Sequence, residues 1–188
     1  MSPPKEKMAL GELVENRIVI WDIEDSRRLF SKGFYGKPLG IPKPKAADFD
    51  APLILDLMEA CYLMKKRLLH VRLSKSSLIS EKRMETICER EYVDFREKFL
   101  VYNELRESGL IVAPGIKFGC DFAIYEHGPG IDHAPYLVQV VRPAEKVSAT
   151  GIVLSGRLAT TVRKQFVIAV SDVQKLKVEF IAFDWWRA

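Results

Sequence analysis

Apolar residues recur at helical spacing in the first half of the chain. Residues 53–67 (LILDLMEACYLMKKR) align Leu53, Leu57, Cys61 and Met64 on one face, and the stretch ends in basic side chains. Basic residues suit the negative end of a helix dipole. The pattern therefore predicts a helix over 53–67.

A second helical pattern occupies residues 89–108 (EREYVDFREKFLVYNELRES), where the aligned aromatic positions are Tyr92, Phe95, Phe99 and Tyr102. The stretch starts with acidic residues and is followed by Gly109, which can adopt the left-handed conformation that caps a helix. We expect one continuous helix here.

After Gly109 the pattern changes to short extended runs rich in β-branched and aromatic residues: LIVAP, IKFGCDFAIY, PYLVQVVR, QFVIAV and KVEFIAFDWW. Ser155 is predicted to cap a short helix, GRLATTVRK, between two of these runs. We expect an α+β or α/β chain: a small N-terminal α+β module over residues 1–86, then a C-terminal domain over residues 87–188 with a mixed sheet flanked by helices.

The charge is unevenly distributed. The 188 residues are 48% apolar and 29% charged, with a formal charge of +4. A Gly/Pro-rich loop predicted over 32–50 begins with KGFYGKPLGIPKPK, which holds four lysines and no acid. Lysines beside Phe34 and Tyr35 suit phosphate contact and base stacking, although a solvated connector has the same composition.

Several classes of protein are excluded or disfavoured. No apolar run is long enough to span a membrane and the first residues lack a secretory signal, so we expect a soluble, cytoplasmic protein. The three cysteines form no CxxC pair and are expected to be reduced core residues. The chain has no phosphate-binding loop, no esterase motif and no clustered metal ligands, so we expect neither a metal nor another cofactor.

The segment YEHGPGIDHAPYLV contains two of the three histidines, His127 and His133. It joins a strand ending at Tyr125 to one starting near Tyr136, so we expect Tyr125 and His133 to meet where these strands end. His70, which follows the basic end of a helix, is expected at the surface. A tyrosine and a histidine in a turn are also compatible with a purely structural turn.

The strings KFGCDFAIYEHGPGIDHAPYLVQVV and SGRLATTVRKQFVIAV resemble the catalytic domain of archaeal tRNA-splicing (tRNA-intron) endonucleases. FYGKP and LDLMEACYLM extend the resemblance upstream, so that it covers residues 33–188. Cys120 departs from the pattern, since a small hydroxyl residue is expected there. The long 32–50 loop resembles the insertion in catalytic subunits of the crenarchaeal type.

The resemblance implies a metal-independent enzyme that cuts precursor tRNA at bulge-helix-bulge elements and leaves 2′,3′-cyclic phosphate and 5′-hydroxyl ends. It assigns catalysis to Tyr125, His133 and Lys164. RNA contacts would come from two arginines, Arg157 and Arg187, and from the insertion, whose candidate lysines are Lys37, Lys43 and Lys45. It further implies assembly, and here a heterotetramer of two catalytic and two structural chains.

The three side chains fit the reaction that the resemblance implies. Attack by a ribose 2′-hydroxyl needs a base, an acid for the departing 5′-oxygen and a cation beside the phosphorus. His133 is the expected acid and Lys164 the expected cation. Tyr125 can be the base only where a nearby positive charge lowers its pKa, and Lys164 is the natural source of that charge.

Three other interpretations remain open. A noncatalytic structural subunit of the same complex would be expected to lack one of the three residues. A metal-dependent nuclease needs an Asp followed by Glu-x-Lys, and Asp121 with Glu145 and Lys146 has the wrong spacing. A noncatalytic RNA-binding module is compatible with the basic loop.

Overall fold

The computed structural model describes residues 7–42, 44, 46–73 and 77–184. The chain divides into two compact units, Met1–Val93 and Asp94–Ala188. Each unit has its own mixed sheet and helices, which confirms the α+β class. The boundary predicted after residue 86 lies inside a helix, α3 (Glu81–Glu91).

The first unit is built on a mixed sheet with the strand order β3-β4-β2-β1-β5. Strands β1 and β5 are parallel, and the other neighbours are antiparallel. The helices of this unit are α1 (Ile23–Gly33), α2 (Leu57–Lys65) and α3. The strands are β1 (Ala9–Val14), β2 (Arg17–Ile20), β3 (Lys37–Pro38), β4 (Leu53–Leu55) and β5 (Leu69–Arg72).

The helix predicted over 53–67 is wrong in its first turn. Residues Leu53–Leu55 form β4, in which Leu55 pairs with Ile18 of β2, and the helix begins only at Leu57. Asp56 separates the two elements because its side chain accepts from the backbone N–H of Glu59, whose side chain accepts in return from the N–H of Asp56. This capping box fixes the start of α2.

The single helix predicted over 89–108 is two helices. α3 ends at Glu91, and α4 (Phe95–Glu107) starts after Asp94, whose φ of 56° lies in the left-handed region. That conformation cannot continue a right-handed helix. The aromatic spacing is unbroken across the junction, so it did not indicate the break.

The second unit contains a mixed sheet with the strand order β10-β9-β8-β7-β6. Strands β8 and β9 are parallel and are joined by α5 (Ala149–Thr161), while the other neighbours are antiparallel. The strands are β6 (Ile111–Pro114), β7 (Phe122–Tyr125), β8 (Tyr136–Val141), β9 (Gln165–Asp172) and β10 (Lys177–Phe183).

Helices cover both faces of this second sheet. On one face Ala159 of α5 belongs to a buried cluster with Ala123, Leu137 and Phe166. On the other face Ser171 donates from its hydroxyl to the carbonyl of Glu97 in α4 at 2.9 Å. Strands β7, β8 and β9 are therefore mostly buried on both faces, as expected for a flanked mixed sheet, whereas the edge strand β10 is largely exposed.

The cap predicted for the short helix before Lys164 is wrong. Ser148, not Ser155, is the N-cap: its hydroxyl accepts from the backbone N–H of Gly151 at 3.0 Å. The helix is therefore two turns longer at its start than GRLATTVRK suggests. Gly151 had weakened the helical pattern of this first turn.

The described residues of the basic segment 32–50 include regular structure. They include the end of α1 and the short strand β3, and Phe49 packs edge-on against Phe30 with ring centroids 5.3 Å apart. The expectation that Tyr35 is displayed for base stacking is wrong, because its side chain is buried and lies 6.1 Å from the ring of Tyr62. Lys37 on β3 is exposed.

Candidate active site

The sheet register brings the ends of three neighbouring strands together. Ile124 of β7 pairs with Tyr136 of β8, and Tyr136 pairs with Gln165 of β9. Tyr125 follows Ile124 directly, Lys164 precedes Gln165 directly, and His133 lies three residues before Tyr136. The three residues singled out in the sequence therefore lie at one end of the sheet.

Tyr125 and Lys164 also share a face of the sheet. Side chains alternate along a strand, and Ala123 and Phe166, each two residues away, both belong to the cluster beneath α5. Tyr125 is half-buried against that cluster. One strand, β8, separates the two residues, and adjacent strands are about 4.8 Å apart.

Lys164 is anchored to the loop that carries His133. Its Nζ donates to the carbonyl of Ala134 at 2.5 Å. The backbone N–H of Gln165 donates to the carbonyl of Pro135 at 2.8 Å, so the strand pairing continues up to the lysine. His133 itself is exposed and is followed by the buried Ala134, which fixes its backbone position.

The loop between β7 and β8 is organised by Asp132. Its carboxylate accepts three backbone N–H groups, from Gly128 at 2.8 Å, His127 at 3.0 Å and Glu126 at 3.1 Å. Burial raises the pKa of Asp132, but these hydrogen bonds outweigh it, and the net pKa is lowered. The carboxylate therefore stays ionised and holds the turn next to His133.

The pKa of Tyr125 is raised, first by burial of the phenol and then by the negative charge of Asp132. The expectation that Lys164 lowers this pKa is wrong in the structure. The Lys164 ammonium donates to a backbone carbonyl, and the carboxylate of Asp132 is the charge that acts on the phenol.

The pKa of Lys164 is lowered by burial and by the neighbouring cation Lys117, and Asp132 only partly opposes this. Lys117 lies in the 3₁₀ turn Ile116–Phe118 before β7. Its ammonium is 4.7 Å from the centroid of the Phe118 ring, and the ammonium of Lys164 is 5.4 Å from the same centroid. Two cations therefore flank one aromatic ring beside the candidate site.

Sequence reasoning did not single out Asp132, Lys117 or Phe118. The Gly-Pro-Gly-x-Asp pattern carried a signal for Asp132, because aspartate often accepts from turn amides. No signal in the sequence indicated that Lys117 lies near Lys164, because the two residues are far apart in the sequence and only the fold brings them to the same aromatic ring.

Cys120, where a small hydroxyl residue is expected, is buried beside the site. Burial and then the charge of Asp121 raise its pKa to about 11. Its thiol donates weakly to the carbonyl of Phe118 at 3.7 Å. The thiol therefore stays protonated at neutral pH, and the side chain of Cys120 contributes to packing.

The residues predicted to contact RNA are only partly described. Arg157 is exposed on α5, one turn before that helix ends. Lys37 is exposed in the first unit. Arg187, Lys43 and Lys45 lie outside the described residues. His70 is exposed on β5, as expected, and His127 is exposed in the loop of Asp132.

Within the described ranges, no three His, Cys, Asp or Glu side chains are grouped so that they could hold a metal ion. In the same part of the chain, no helix combines the length and apolar character needed to cross a membrane.

Two family models match this chain. The tRNA intron endonuclease N-terminal domain matches residues 9–84, and the tRNA intron endonuclease catalytic C-terminal domain matches residues 95–179. The second match includes the loop of Asp132 and the end of the sheet where Tyr125 and Lys164 lie.

Similar proteins match over nearly their whole length. The tRNA-splicing endonuclease of Hyperthermus butylicus is 41% identical over 178 residues, covering 95% of this chain and 98% of that protein. That of Sulfurisphaera tokodaii is 40% identical over 179 residues, covering 95% and 99%. That of Saccharolobus solfataricus is 38% identical over 179 residues, covering 95% and 98%.

Proposed function

The chain belongs to the tRNA intron endonuclease family, and we propose that it excises introns by cutting precursor tRNA at bulge-helix-bulge elements without a metal ion. The observation that supports this proposal is that Tyr125, His133 and Lys164 lie at one end of the second sheet, at or beside the ends of β7, β8 and β9. Together they supply a base, an acid and a cation, which are the groups that transesterification of RNA requires.

In the proposed reaction the 2′-oxygen of a bulged ribose attacks the adjacent phosphorus. Tyr125, in its ionised form, takes the 2′-proton. A new bond joins the 2′-oxygen to phosphorus, and the bond from phosphorus to the 5′-oxygen breaks with its electron pair on that oxygen. His133 donates the proton that makes it a 5′-hydroxyl, which leaves a 2′,3′-cyclic phosphate.

Lys164 stabilises the extra negative charge on phosphorus between attack and departure. Its ammonium has two further N–H donors for the phosphate, since one goes to Ala134 and an ammonium carries three.

Because the pKa of Tyr125 is raised, the ionised form that acts as the base is present in only a small fraction of the protein. Only about one free tyrosine in a thousand is ionised at pH 7, and burial lowers that fraction further.

RNA contacts are assigned to exposed cations outside the three reacting groups. We propose that Arg157 and Arg187 hold a bulged base, and that Lys37, Lys43 and Lys45 contact the phosphates of the RNA. Arg157 lies on the helix that leads to Lys164, so it suits a nucleotide next to the scissile bond.

We propose that two copies of this chain act with two structural subunits, because one site cannot reach both ends of an intron. The edge strand β10 is a candidate contact surface. Phe180 and Ile181 on it are 44% and 48% exposed, and an open edge with apolar side chains favours strand pairing with another chain. Full-rate cleavage of both sites by the chain alone would contradict this assembly.

The decisive experiment is cleavage of a bulge-helix-bulge RNA by the full chain, with and without candidate partner chains. We expect both strands to be cut at the bulges, with cyclic phosphate and 5′-hydroxyl ends, and with full activity in excess chelator. Loss of activity that magnesium restores would favour a metal-dependent nuclease. Binding without cleavage in every combination would favour a noncatalytic subunit or an RNA-binding module.

A further inference from the structure

The two ammonium groups around Phe118 are not explained by the three proposed reacting groups. Lys164 is one of them, but Lys117 has no role in that chemistry. Its side chain is exposed, and its ammonium lies over the Phe118 ring at 4.7 Å from the centroid. The same ring is 5.4 Å from the ammonium of Lys164.

The turn that carries Lys117 is held firmly. The N–H of Gly115 donates to the carbonyl of Asp121 at 2.9 Å, and the N–H of Phe118 donates to the carbonyl of Gly115 at 2.8 Å. A Cβ on Gly115 would lie 2.8 Å from the backbone of Phe122, so only glycine allows this close approach. Phe118 packs on the cluster beneath α5. The ring is therefore a fixed support for both lysines.

Neighbouring carboxylates offset this pair of cations only in part: the charge of Asp132 raises the pKa of Lys164, but by less than burial and Lys117 lower it. Asp121 is engaged by Lys98, whose Nζ is 2.8 Å from its Oδ1, and Asp132 accepts the three amides of its loop. In the described part of the chain neither Lys117 nor Lys164 forms an ion pair. The charge of Lys117 acts on the ammonium of Lys164, so an anion bound near both groups would offset the repulsion between them.

We propose that Lys117 binds a phosphate of the RNA backbone next to the scissile one, and so positions the scissile phosphate against Lys164. This inference rests on the proposed function, since it takes the anion to be substrate RNA. The lowered pKa of Lys164 is consistent with the arrangement, because an anion would relieve the repulsion from Lys117. Lys117 is then a substrate-binding residue that acts on the reaction through position and charge.

The test compares Lys117→Met and Lys117→Arg with Lys82→Met, which removes an exposed lysine from α3 in the first unit. Each is made in the full chain, assembled with whatever partner the cleavage assay needs. Binding is measured with a bulge-helix-bulge RNA that carries a 2′-deoxy group at each scissile position, over a range of salt concentrations. Cleavage is measured at saturating enzyme with the unmodified RNA.

We expect Lys117→Met to weaken binding about tenfold, as for the loss of one charged contact. The slope of log K against log salt should fall by about one relative to wild type. Cleavage should also slow, with its alkaline fall moved to higher pH because Lys164 no longer faces a second cation. Lys117→Arg should restore the slope, and Lys82→Met should leave every quantity unchanged.

An unchanged salt slope in Lys117→Met would overturn the inference, whatever the cleavage rate. A wild-type protein that binds the RNA but does not cleave it would instead count against the proposed function, and the binding slopes would still decide the role of Lys117. Equal salt slopes for Lys117→Met and Lys82→Met, both below wild type, would show nonspecific attraction and would also overturn it. A melting curve like that of wild type verifies that Lys117→Met is folded.

Discussion

The Nζ of Lys164 donates to the backbone carbonyl of Ala134 at 2.5 Å, which ties the lysine before β9 to the residue after His133. The contact joins two segments that lie 30 positions apart in the sequence. Because β8 and β9 are parallel, their starts lie side by side, and this hydrogen bond continues the pairing beyond the last strand residues. The proposed acid and the proposed phosphate-binding cation thus belong to segments that are hydrogen-bonded to each other at one end of the sheet.

Removal of the His133 imidazole or the Lys164 ammonium should lower the cleavage rate strongly and the affinity for RNA only slightly. We expect His133→Ala or Lys164→Ala to lower single-turnover cleavage by about two to four powers of ten, as is usual for lost acid-base or charge stabilisation. RNA binding should persist, since most of the affinity comes from other phosphate contacts. Rates are measured at saturating enzyme, and binding is measured with uncleavable RNA.

The loop offers a matched control in His127→Ala. His127 is also exposed, and the hydrogen bond that it donates to Asp132 comes from its backbone N–H, which alanine keeps, so this variant removes an imidazole and leaves that bond of the turn in place. We expect near wild-type cleavage. Equal losses in His127→Ala and His133→Ala would remove the specific assignment of His133, and an unaffected His133→Ala would refute it.

The alkaline side of the pH-rate profile should report Lys164. Burial and Lys117 lower the pKa of Lys164, while burial and Asp132 raise that of Tyr125. The ammonium therefore loses its proton at lower pH than an ordinary lysine, and the phenol loses its proton at higher pH than an ordinary tyrosine. Cleavage should fall at high pH because the phosphate loses its cation.

Lys164→Arg separates this cause from others, because a guanidinium keeps its charge throughout the accessible range. We expect the alkaline fall of cleavage to move to higher pH in this variant. The cleavage rate without protein is subtracted at each pH, because alkali itself cuts RNA to cyclic phosphates. An identical alkaline limb in wild type and Lys164→Arg would mean that another group titrates.

The sequence predicted the α+β class and also that Tyr125 and His133 lie where two neighbouring strands end, because strand patterns and turn residues fix which segments meet at a strand end. Tyr125 and His133 were located through the Gly-rich turn between two apolar runs. The break at Asp94 was missed because aromatic spacing continues through it. β4 was missed because Leu53 and Leu55 are compatible with a helix as well as with a strand. Only their pairing with β2 in the folded protein makes this segment a strand.

The electrostatics of the site could not be predicted from the sequence. Whether Lys164 or Asp132 controls the pKa of Tyr125 depends on where the loop folds back, and three amide hydrogen bonds decide that. The burial of Tyr35 against Tyr62 similarly depends on tertiary packing. From the sequence, Tyr35 could be characterised only as an aromatic residue beside lysines.

Asp132 should affect activity through the position of its loop. Without its carboxylate three amides lose their acceptor, and His133 is no longer held. We expect Asp132→Ala to slow cleavage about ten- to a hundredfold, the usual cost of misplacing a reacting group by about an ångström. Asp172→Ala is the control, because that carboxylate also accepts two turn amides, those of Gln174 and Lys175, but lies away from the site.

The pH dependence of stability gives a second test of Asp132. Its pKa is lowered on folding, so its contribution is present above the unfolded pKa and is lost as the pH falls through the folded pKa. The difference in Tm between wild type and Asp132→Ala should therefore shrink in acid. A difference that grows in acid, or equal losses of activity in Asp132→Ala and Asp172→Ala, would contradict this role.

The buried thiols Cys61 and Cys88 should be coupled in stability. Cys88 donates to the carbonyl of Leu57 at 3.4 Å, and a hydrogen bond with Cys61, then burial, raises the pKa of Cys88. Each thiol packs α2 against α3, and the structure holds all three cysteines as free, buried thiols. We expect thiol reagents to label them only on unfolding.

The variants Cys61→Ala and Cys88→Ala should destabilise non-additively, with a coupling of at least about 0.5 kcal/mol in a double-mutant cycle. Additive effects, or rapid labelling of Cys88 in the folded protein, would show that the two sulfurs are not in contact.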